Sequence, residues 1–328
     1  MTKHDEWMLV LINLFSNHSI METILITGGS GMIGKSLTAH LIGEDYRVII
    51  LSRKPIRSIN KEARVSYATW DIQQGKIDLQ AIQKADHVIH LAGAGVMDKK
   101  WTEAYKQEIM NSRVKSSQLL VNTLKNIENK VKTVICASAT GWYGDDIVGN
   151  IGFIETSIAD SGFLGQTCKL WEENIGLVST LNKKLVIFRM GVVLSNYGGV
   201  LEALKHPLRF GIAGIFGNGK QIISWIHIDD LCRLFTEAIK NNNISGVYNA
   251  VAPSPVSNQQ LTIELAKHLK GHFFIPIHIP GFVLKILLGN RSIELLKSVT
   301  VDSGKIKDTG FSFLYPTIKT ALRQLCKS

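Results

Sequence analysis

The sequence predicts an α/β protein with a Rossmann-type, doubly wound parallel sheet and a small C-terminal α/β lobe. Two observations lead to this fold class. An apolar run at residues 23–26 leads directly into the glycine-rich stretch TGGSGMIG at 27–34. From there to about residue 189, short apolar runs alternate with segments of helical periodicity, which is typical of a parallel sheet with helical crossovers.

The glycine-rich stretch is typical of a phosphate-binding loop. Gly28, Gly31 and Gly34 stand three residues apart. Glycine at these places permits a tight turn, lets the backbone approach a pyrophosphate, and lets the next helix pack closely on the sheet. The helix predicted at 33–41 would direct its N-terminal amides at the phosphates, so we expect Met32 and Ile33 to contact the cofactor as well. An incidental glycine-rich turn is the alternative interpretation.

The end of the second predicted strand, at 47–51, bears on the choice of cofactor. An acidic residue there binds the ribose 2′-hydroxyl of NAD, whereas a basic residue fits the 2′-phosphate of NADP. This chain has Ser52 and Arg53. We therefore expect NADP(H), with Ser52 hydrogen-bonded to the phosphate and Arg53 as its charge partner. A solvated basic turn is the alternative interpretation of these cations, and it fits Lys54 and Arg57 better than Arg53.

Length and composition indicate one large α/β unit with an appended lobe, since the chain has 328 residues, 45% of them hydrophobic. We expect a Rossmann domain at 21–200 that also receives part of the later chain, and a substrate lobe at 201–328. Residues 1–20 are expected to be a loosely attached extension. Their apolar run is too short to span a bilayer and follows an acidic pair, which is wrong for a signal peptide. Translation could therefore begin at Met1 or at Met21.

Charge and cysteine usage limit the classes of partner. The net charge is +10, but Lys and Arg are dispersed rather than clustered with aromatic residues. We therefore expect no nucleic acid, and an anionic dinucleotide is a sufficient partner. No membrane partner is expected. The four cysteines lack metal-ligand spacing, which predicts no metal, reduced thiols and a cytoplasmic location, with Cys136 in the core.

Further strands and helices complete the predicted fold. The strands are predicted at 64–69, 86–91, 132–137 and 185–189, and the helices at 79–84, 101–126, 163–179, 231–239, 259–270 and 282–297. The strand at 86–91 runs into small residues from Ala92 to Gly95. Such an exit lets the backbone lie against a cofactor ribose, because ligands of open parallel sheets bind at the carboxyl ends of strands. We interpret His90 as a buried structural histidine.

The helix predicted at 101–126 carries polar residues that are enough to line one side of a cofactor groove. Glu108 and Arg113 belong to this set. An exposed helix charge is the alternative interpretation of Arg113.

Seven motifs, in order along the chain, carry a family resemblance. They are TGGSGMIG, LSR, VIHLAGAG, SATGWYG, FRMGVVL, GNGKQIISWIHIDDL and YNAVAPSPVSN. With them, the chain from about Met21 to its end resembles the atypical epimerase-family branch of the extended short-chain dehydrogenases/reductases, often labelled nucleoside-diphosphate-sugar epimerase. The resemblance implies an NADP-binding Rossmann domain with contacts at the loop glycines, Ser52, Arg53, Leu91, Ala92 and Gly93. It also implies the groove residues Glu108, Arg113 and Val193.

The usual catalytic pair of the wider superfamily is missing. Typical members use a tyrosine and, four residues later, a lysine that lowers the pKa of the phenol. Extended members commonly have a glutamate four residues beyond the lysine. Aligning Glu172 with that glutamate puts Leu164 at the tyrosine position and Cys168 at the lysine position. A shift of one residue supplies Lys169 but puts Gly165 at the tyrosine position.

The accompanying serine is ambiguous as well. An ungapped count puts Ala139 in its place, between Ser138 and Thr140. Either hydroxyl could act as proton donor after a small backbone shift, and either could cap the next turn. We interpret Tyr143 as a packing residue with a satisfied hydroxyl, and Cys168 as core or groove lining.

The substrate-binding pattern departs from that of nucleotide-sugar enzymes. Those enzymes often have an arginine before the aromatic-x-His-x-Asp-Asp run, where it binds a pyrophosphate. That place is taken by Ile223, with Lys220 as a nearby point charge. The absence of the arginine argues against an ordinary nucleotide sugar as the substrate. Asp229 is expected to cap the helix that follows, and Trp225 and His227 to face either the pocket or the interlobe core.

These patterns favour an NADP(H)-dependent oxidoreductase or epimerase-like protein with a non-standard proton donor. Its substrate would be a small or hydrophobic carbonyl or alcohol between the lobes. The alternative is a catalytically inactive NADP(H)-binding scaffold or regulator, an interpretation supported by plastid and cyanobacterial relatives implicated in division. The apolar run at 282–288 fits a cover of the cleft or a subunit contact, which leaves a homodimer open. The sequence does not identify the substrate.

Overall fold

The computed structural model describes residues 21–53, 64–146 and 152–327. The expectations for residues 1–20, Lys54 and Arg57 lie outside the described residues. The strands are β1 (Thr23–Thr27), β2 (Arg47–Ser52), β3 (Val65–Asp71), β4 (Lys76–Ile77), β5 (His87–His90), β6 (Thr133–Ala139), β7 (Lys184–Met190), β8 (Val192–Leu194), β9 (Ile212–Phe216), β10 (Ile222–Ile223), β11 (Trp225–His227), β12 (Gly246–Ala250), β13 (Val256–Ser257) and β14 (Ile275–Ile279).

The α-helices are α1 (Met32–Gly43), α2 (Leu79–Lys84), α3 (Glu103–Asn126), α4 (Phe163–Gly176), α5 (Val200–Leu208), α6 (Ile228–Lys240), α7 (Asn258–Lys270), α8 (Gly281–Leu288), α9 (Ser292–Leu296), α10 (Gly304–Lys307) and α11 (Ile318–Leu325). Short 3₁₀ turns lie at Thr140–Trp142, Leu177–Leu181 and Gly289–Arg291.

The central sheet has the strand order β12-β7-β6-β5-β1-β2-β3-β4. All neighbours are parallel except β4, which runs antiparallel to β3 at the edge. From β1 the chain first adds strands on one side and then returns to add β5 on the other. Ligands of open α/β sheets bind at such a switch point. The predicted doubly wound parallel sheet is confirmed.

Helices cover both faces of the sheet, and each face has its own apolar core. On one face α1 and α6 contribute Leu37, Leu41, Leu231 and Phe235. On the other face α2, α3 and α4 contribute buried residues that include Ile82, Leu120, Leu124, Trp171 and Ile175. Cys136 is buried in the second of these cores, as predicted.

A third apolar core belongs to the later part of the chain. It is built around Trp225 and includes residues of α5, α7 and α11. The segment of α6 and β12 returns to the main sheet, and β12 forms its edge beside β7. This agrees with a first unit that receives later chain, while the boundary at residue 200 stays a prediction. Among the helices of the described chain, none has the length and apolar character needed to cross a membrane.

Three local predictions were wrong or incomplete. The helix expected at 282–297 is broken, because Gly289 adopts a positive φ of 62° and ends α8. Asp229 does not cap the helix that follows. That helix begins at Ile228, and its N-cap is His227, whose Nδ1 accepts a hydrogen bond from the Asp229 N–H. Strand β12 was not predicted, although Val247 and Tyr248 are residue types that favour strands.

The neighbouring Asp230 has the structural role instead. Its carboxylate is completely buried and accepts hydrogen bonds from the backbone N–H groups of Leu314 and Tyr315, at 2.8 and 2.9 Å. It also accepts one from Arg233 at 3.1 Å. One side chain therefore ties the C-terminal segment to α6.

We expect Asp230→Ala to lower the free energy of unfolding by about 2–4 kcal/mol, because two backbone N–H donors and the Arg233 guanidinium lose their buried acceptor. Asp229→Ala is the matched control. Its carboxylate is 49% exposed, so that variant should lose less than about 1 kcal/mol, the scale of a charge near a helix N-terminus. Urea unfolding of both variants checks this. Equal losses would contradict the role assigned to Asp230.

Candidate cofactor and catalytic site

The glycine-rich loop connects β1 to α1 at the switch point. Gly28 has a φ of +72°, and a Cβ there would stand 2.9 Å from the carbonyl carbon of Leu91. A Cβ at Gly34 would stand 2.5 Å from the Gly28 carbonyl oxygen. The Gly31 N–H closes the turn on that oxygen at 3.1 Å. Glycine is thus required at 28 by conformation and space, and at 34 by space.

A buried polar cluster around Thr27 lies next to the glycine-rich loop, between the ends of β1 and β5. Its hydroxyl oxygen accepts hydrogen bonds from the N–H groups of Leu91 and Ala92, at 3.1 and 3.2 Å. The hydroxyl hydrogen is then available to His90 Nδ1, at 2.8 Å. Nδ1 is therefore an acceptor, and Nε2 carries the proton toward the hydroxyls of Ser116 and Ser117.

His90 is a neutral, structural histidine, as predicted. It is completely buried. Burial lowers the pKa of its imidazole to about 3, and the cation of Arg113 acts in the same direction. Because the N–H groups of Leu91 and Ala92 are used by Thr27, a cofactor could contact these two residues only through their carbonyl groups and side chains.

Arg113 is partly buried rather than an exposed helix charge. A Cβ at Gly93 would stand 3.0 Å from its guanidinium carbon, which lies 5.0 Å from the ring centre of Trp171. Nη1 donates to the carbonyl oxygens of Ala94 and Ile109, at 3.0 and 2.9 Å. Burial lowers the pKa of this guanidinium. Within the described part of the chain, no carboxylate forms an ion pair with it.

The other predicted cofactor residues have different surroundings. Met32 and Val193 come together at the glycine turn before α5, where a Cβ at Gly199 would meet Met32 Sδ at 3.3 Å and the Val193 carbonyl oxygen at 3.7 Å. Ser52 ends β2, and Arg53 follows it exposed at the same edge of the sheet. Ile33 follows Met32 in the first turn of α1 and packs its side chain on the core, while Glu108 is half exposed and pairs with Lys99 at 3.2 Å.

Helix α4, which carries Leu164 and Cys168, packs against the turn at Thr140–Trp142. A Cβ at Gly141 would stand 3.3 Å from Leu164 Cβ and 3.8 Å from Cys168 Sγ. Burial raises the pKa of the Cys168 thiol to about 11, with Arg113 acting in the opposite direction. This side chain is a neutral lining group. Lys169 points to solvent and lies 3.9 Å from Glu173, so it does not serve as the missing lysine.

The two hydroxyls flanking Ala139 have different environments. Ser138 is buried, and its Oγ donates to Glu172 Oε1 at 2.6 Å. Both oxygens of Glu172 also accept hydrogen bonds from Arg189, at 2.9 and 2.8 Å. Ser138 is thus part of a buried ion-pair network. Thr140 begins the 3₁₀ turn and is partly exposed.

Tyr143 extends this network and is a packing residue, as predicted. Its hydroxyl donates to Asn249 Oδ1 at 2.6 Å and accepts from Arg189 Nη1 at 3.1 Å. Burial raises the pKa of the phenol to about 12, so it stays protonated. The sequence analysis missed Arg189 and Asn249. A charged residue inside the apolar strand FRMGVVL was the signal for the first, and nothing local indicated the second.

The remaining residues of the lobe do not form an anion site. Ile223 pairs with Val256 in a small sheet, and Lys220 is exposed. Trp225 and His227 are completely buried, so they belong to the core and not to a pocket. Among the described residues, no group of three His, Cys, Asp or Glu side chains is placed to hold a metal ion.

Helices α8 and α9 are anchored over the exits of β5 and β6. Arg291 Nη1 donates to the carbonyl oxygen of Met97 at 2.6 Å, in the loop after β5. Lys297 Nζ donates to the carbonyl oxygen of Tyr143 at 2.7 Å, in the loop after β6. The lobe therefore spans the edge of the sheet where the predicted cofactor residues lie.

Known proteins are similar in sequence to nearly the whole chain. Residues 24–160 match the NAD dependent epimerase/dehydratase family, and residues 279–325 match a domain of unknown function, DUF1731. The epimerase family protein SSP1921 of Staphylococcus saprophyticus is 35% identical over 308 residues, which cover 93% of this chain and 99% of that protein. The chain belongs to this epimerase family.

Solved structures agree with the family assignment. The human epimerase family protein SDR39U1 with NADPH has a TM-score of 0.82 and 28% identity, covering 93% of this chain and 99% of that one. A nucleoside-diphosphate sugar epimerase from Corynebacterium glutamicum has a TM-score of 0.74 and 29% identity, covering 97% and 61%. The epimerase-family resemblance drawn from the seven motifs is confirmed, including its C-terminal segment.

Stability should depend on pH through His90. The pKa of this histidine is about 3 in the folded protein, against an ordinary value near 6.5, so below pH 6.5 the unfolded chain binds one proton more. Stability is then lost as the pH falls from about 6.5 towards 3. Between pH 7 and pH 5 we expect the wild type to lose about 2 kcal/mol more than His90→Asn. Urea unfolding at the two pH values measures this. All other histidines are the same in the two proteins. An equal loss of unfolding free energy in the wild type and in His90→Asn would therefore contradict the neutral state of His90.

Proposed function

We propose that this epimerase-family protein is an NADP(H)-dependent oxidoreductase that acts on a neutral carbonyl or alcohol. The observation that carries the proposal is the partly buried guanidinium of Arg113 beside Gly93 and Cys168, with backbone carbonyls as its hydrogen-bond partners. A cation in such a place is stabilised by a ligand that brings negative charge and acceptor oxygens. The pyrophosphate and ribose of a dinucleotide supply both.

The glycine loop and the end of β2 support the choice of NADP(H). The loop brings the first amides of α1 to the carboxyl edge of β1, where a pyrophosphate would accept hydrogen bonds. Ser52 and Arg53 would hold the 2′-phosphate. The human relative is a complex with NADPH, which supports the same cofactor here. Leu91, Ala92 and Gly93 would lie along the ribose.

The chemistry must work without the usual tyrosine and lysine. The nicotinamide, when bound, supplies or accepts the hydride. Arg113 would contribute from α3 the positive charge that a lysine at position 168 would contribute from α4. Thr140 would hydrogen-bond the substrate oxygen and pass a proton to it from water. Leu164 and the neutral thiol of Cys168 would keep other water away.

The substrate is proposed to be uncharged because the lobe lacks the arginine that binds a pyrophosphate in nucleotide-sugar enzymes. Ile223 takes the place of the expected arginine. The side chains of Arg291 and Lys297 are used in backbone contacts. A nucleoside diphosphate would therefore lack the bidentate contact that this arginine supplies. We also infer a reducing, cytoplasmic compartment, because all four cysteines are free and three of them are buried.

A second candidate is an inactive NADP(H)-binding scaffold, whose shape would depend on cofactor occupancy. The observation that favours it is the chemistry of α4. Leu164 and Cys168 hold the positions of the acid/base pair, and the Ser138 hydroxyl is committed to Glu172. This candidate uses the same cofactor site, so cofactor binding alone does not separate the two.

Two arginine variants should affect cofactor binding in different ways. Arg53→Ala should remove about 1–3 kcal/mol of the preference for NADPH over NADH, the scale of a hydrogen bond to a charged group. Arg113→Met should weaken NADPH and NADH equally, because the pyrophosphate and nicotinamide ribose are common to both. Calorimetric titration measures all four affinities, with Arg113→Lys as the charge-retaining control. Equal wild-type affinities for the two cofactors would overturn the NADP(H) assignment.

Hydride transfer is tested by single turnover. NADPH-loaded protein is mixed with a panel of neutral aldehydes and ketones, and the absorbance of the reduced nicotinamide is followed. We expect oxidation with at least one compound, slowed roughly 100-fold by Thr140→Ala, the lower scale of acid–base catalysis, and retained in Thr140→Ser. Ser138→Ala should leave the transfer rate nearly unchanged. Tight NADPH binding without oxidation by any compound would favour the scaffold.

A further inference from the structure

The two-stranded ribbon of β9 and β14 has an exposed apolar face, and its other face is buried only along β9. The strands are parallel and in register, with Ile275 opposite Ile212. Ala213 and Ile215 point into the lobe and are completely buried or nearly so. On the other face are Ile212, Ile275 and Ile277, preceded in the chain by Phe210 and Phe273. These last five residues are called the ribbon face below.

The ribbon face is unusually apolar for a surface. Phe273 is 88% exposed, Phe210 is 77% exposed and Ile275 is 66% exposed. The two phenylalanines belong to the same end of the ribbon, because the Ile275 N–H donates to the Gly211 carbonyl oxygen at 2.8 Å. Contiguous apolar residues that protrude in this way mark interaction surfaces.

The two chain segments that form the ribbon face carry an excess of positive charge. Residues 203–228 and 265–293 contain no Asp or Glu. They contain seven cationic residues: Lys205, Arg209, Lys220, Lys267, Lys270, Lys285 and Arg291. Arg209 and Lys270 flank the two phenylalanines, and Lys270 Nζ lies 3.3 Å from the Arg209 carbonyl oxygen. Acidic partners come only from outside these stretches, as in the pairs Glu202–Arg209 and Glu264–Lys267.

Two kinds of protein partner fit this surface poorly. The Ile275 N–H and the Ile279 carbonyl point to β9, so Pro276 lies on the free edge of β14, where it offers no N–H to an added strand. A second copy in a two-fold contact would bring the same cations against each other. An anionic bilayer matches both the charge and the protruding phenylalanines.

We propose that the ribbon face docks on an anionic lipid surface. Phe210 and Phe273 would enter the boundary between headgroups and acyl chains, and Arg209 and Lys270 would contact lipid phosphates. The sequence analysis expected no membrane partner, and the two acid-free stretches are separate in the chain. They become one surface only through the pairing of β9 with β14. This proposal does not depend on the proposed reaction.

Vesicle co-sedimentation of the full chain tests the apolar contact. We expect binding to phosphatidylcholine vesicles containing phosphatidylglycerol, little binding to phosphatidylcholine alone, and release at high salt. Phe210→Ser with Phe273→Ser should reduce the partition coefficient at least about tenfold, because two large side chains leave the interface. Leu177→Ser, at an exposed apolar residue remote in sequence, is the matched control and should bind as the wild type does.

A charge reversal tests the second half of the proposal. Arg209→Glu with Lys270→Glu should reduce binding roughly tenfold or more, whereas Lys84→Glu with Lys125→Glu on the Rossmann side should change it far less. NADPH titration and thermal melting show that each variant is folded. Unchanged binding in either ribbon variant would overturn the proposal. So would wild-type protein that ignores every vesicle, or that instead forms a dimer dependent on Phe273.

Discussion

The hydroxyl of Thr27 connects β1 to β5, the two neighbouring strands at the switch point of the sheet. It accepts from the backbone after β5 and donates to His90, so the exits of β1 and β5 have a defined separation. The close approach of Gly28 to Leu91 depends on that separation. The position of α1, and with it the proposed phosphate site, follows from this arrangement. A polar cluster this deeply buried is stable only if every member is satisfied, which explains why the imidazole must be neutral.

The charge at the proposed reaction centre comes from an unexpected direction. Dehydrogenases of the wider superfamily place their cation on the helix that follows the serine loop. Here that helix presents Leu164 and Cys168, and the cation is Arg113 on the preceding long helix α3. Of the two hydroxyls that flank Ala139, that of Ser138 is engaged by the ion pair of Glu172 and Arg189, and that of Thr140 is partly exposed.

Local periodicity explains why so much of the fold could be predicted. The glycine loop, the parallel strands and the helices over them depend on residues close in sequence, and so does the burial of His90 and Tyr143. The wrong or missing predictions concern features that local periodicity does not determine. Asp229 and Asp230 are adjacent carboxylates, and only the rotation along α6 decides which of them meets the backbone of Leu314. The partners of Arg189 and the pairing of β9 with β14 are long-range, so no local pattern indicates them.

The side chains packed around α4 limit which single substitutions could introduce the usual catalytic pair. A lysine introduced at position 168 would meet the cation of Arg113 in a buried space, and like charges there disfavour each other. A tyrosine at position 164 would have to fit where Leu164 already lies against Gly141. Neither substitution alone would therefore supply the usual tyrosine and lysine, because each position is already occupied by a side chain that fits its surroundings.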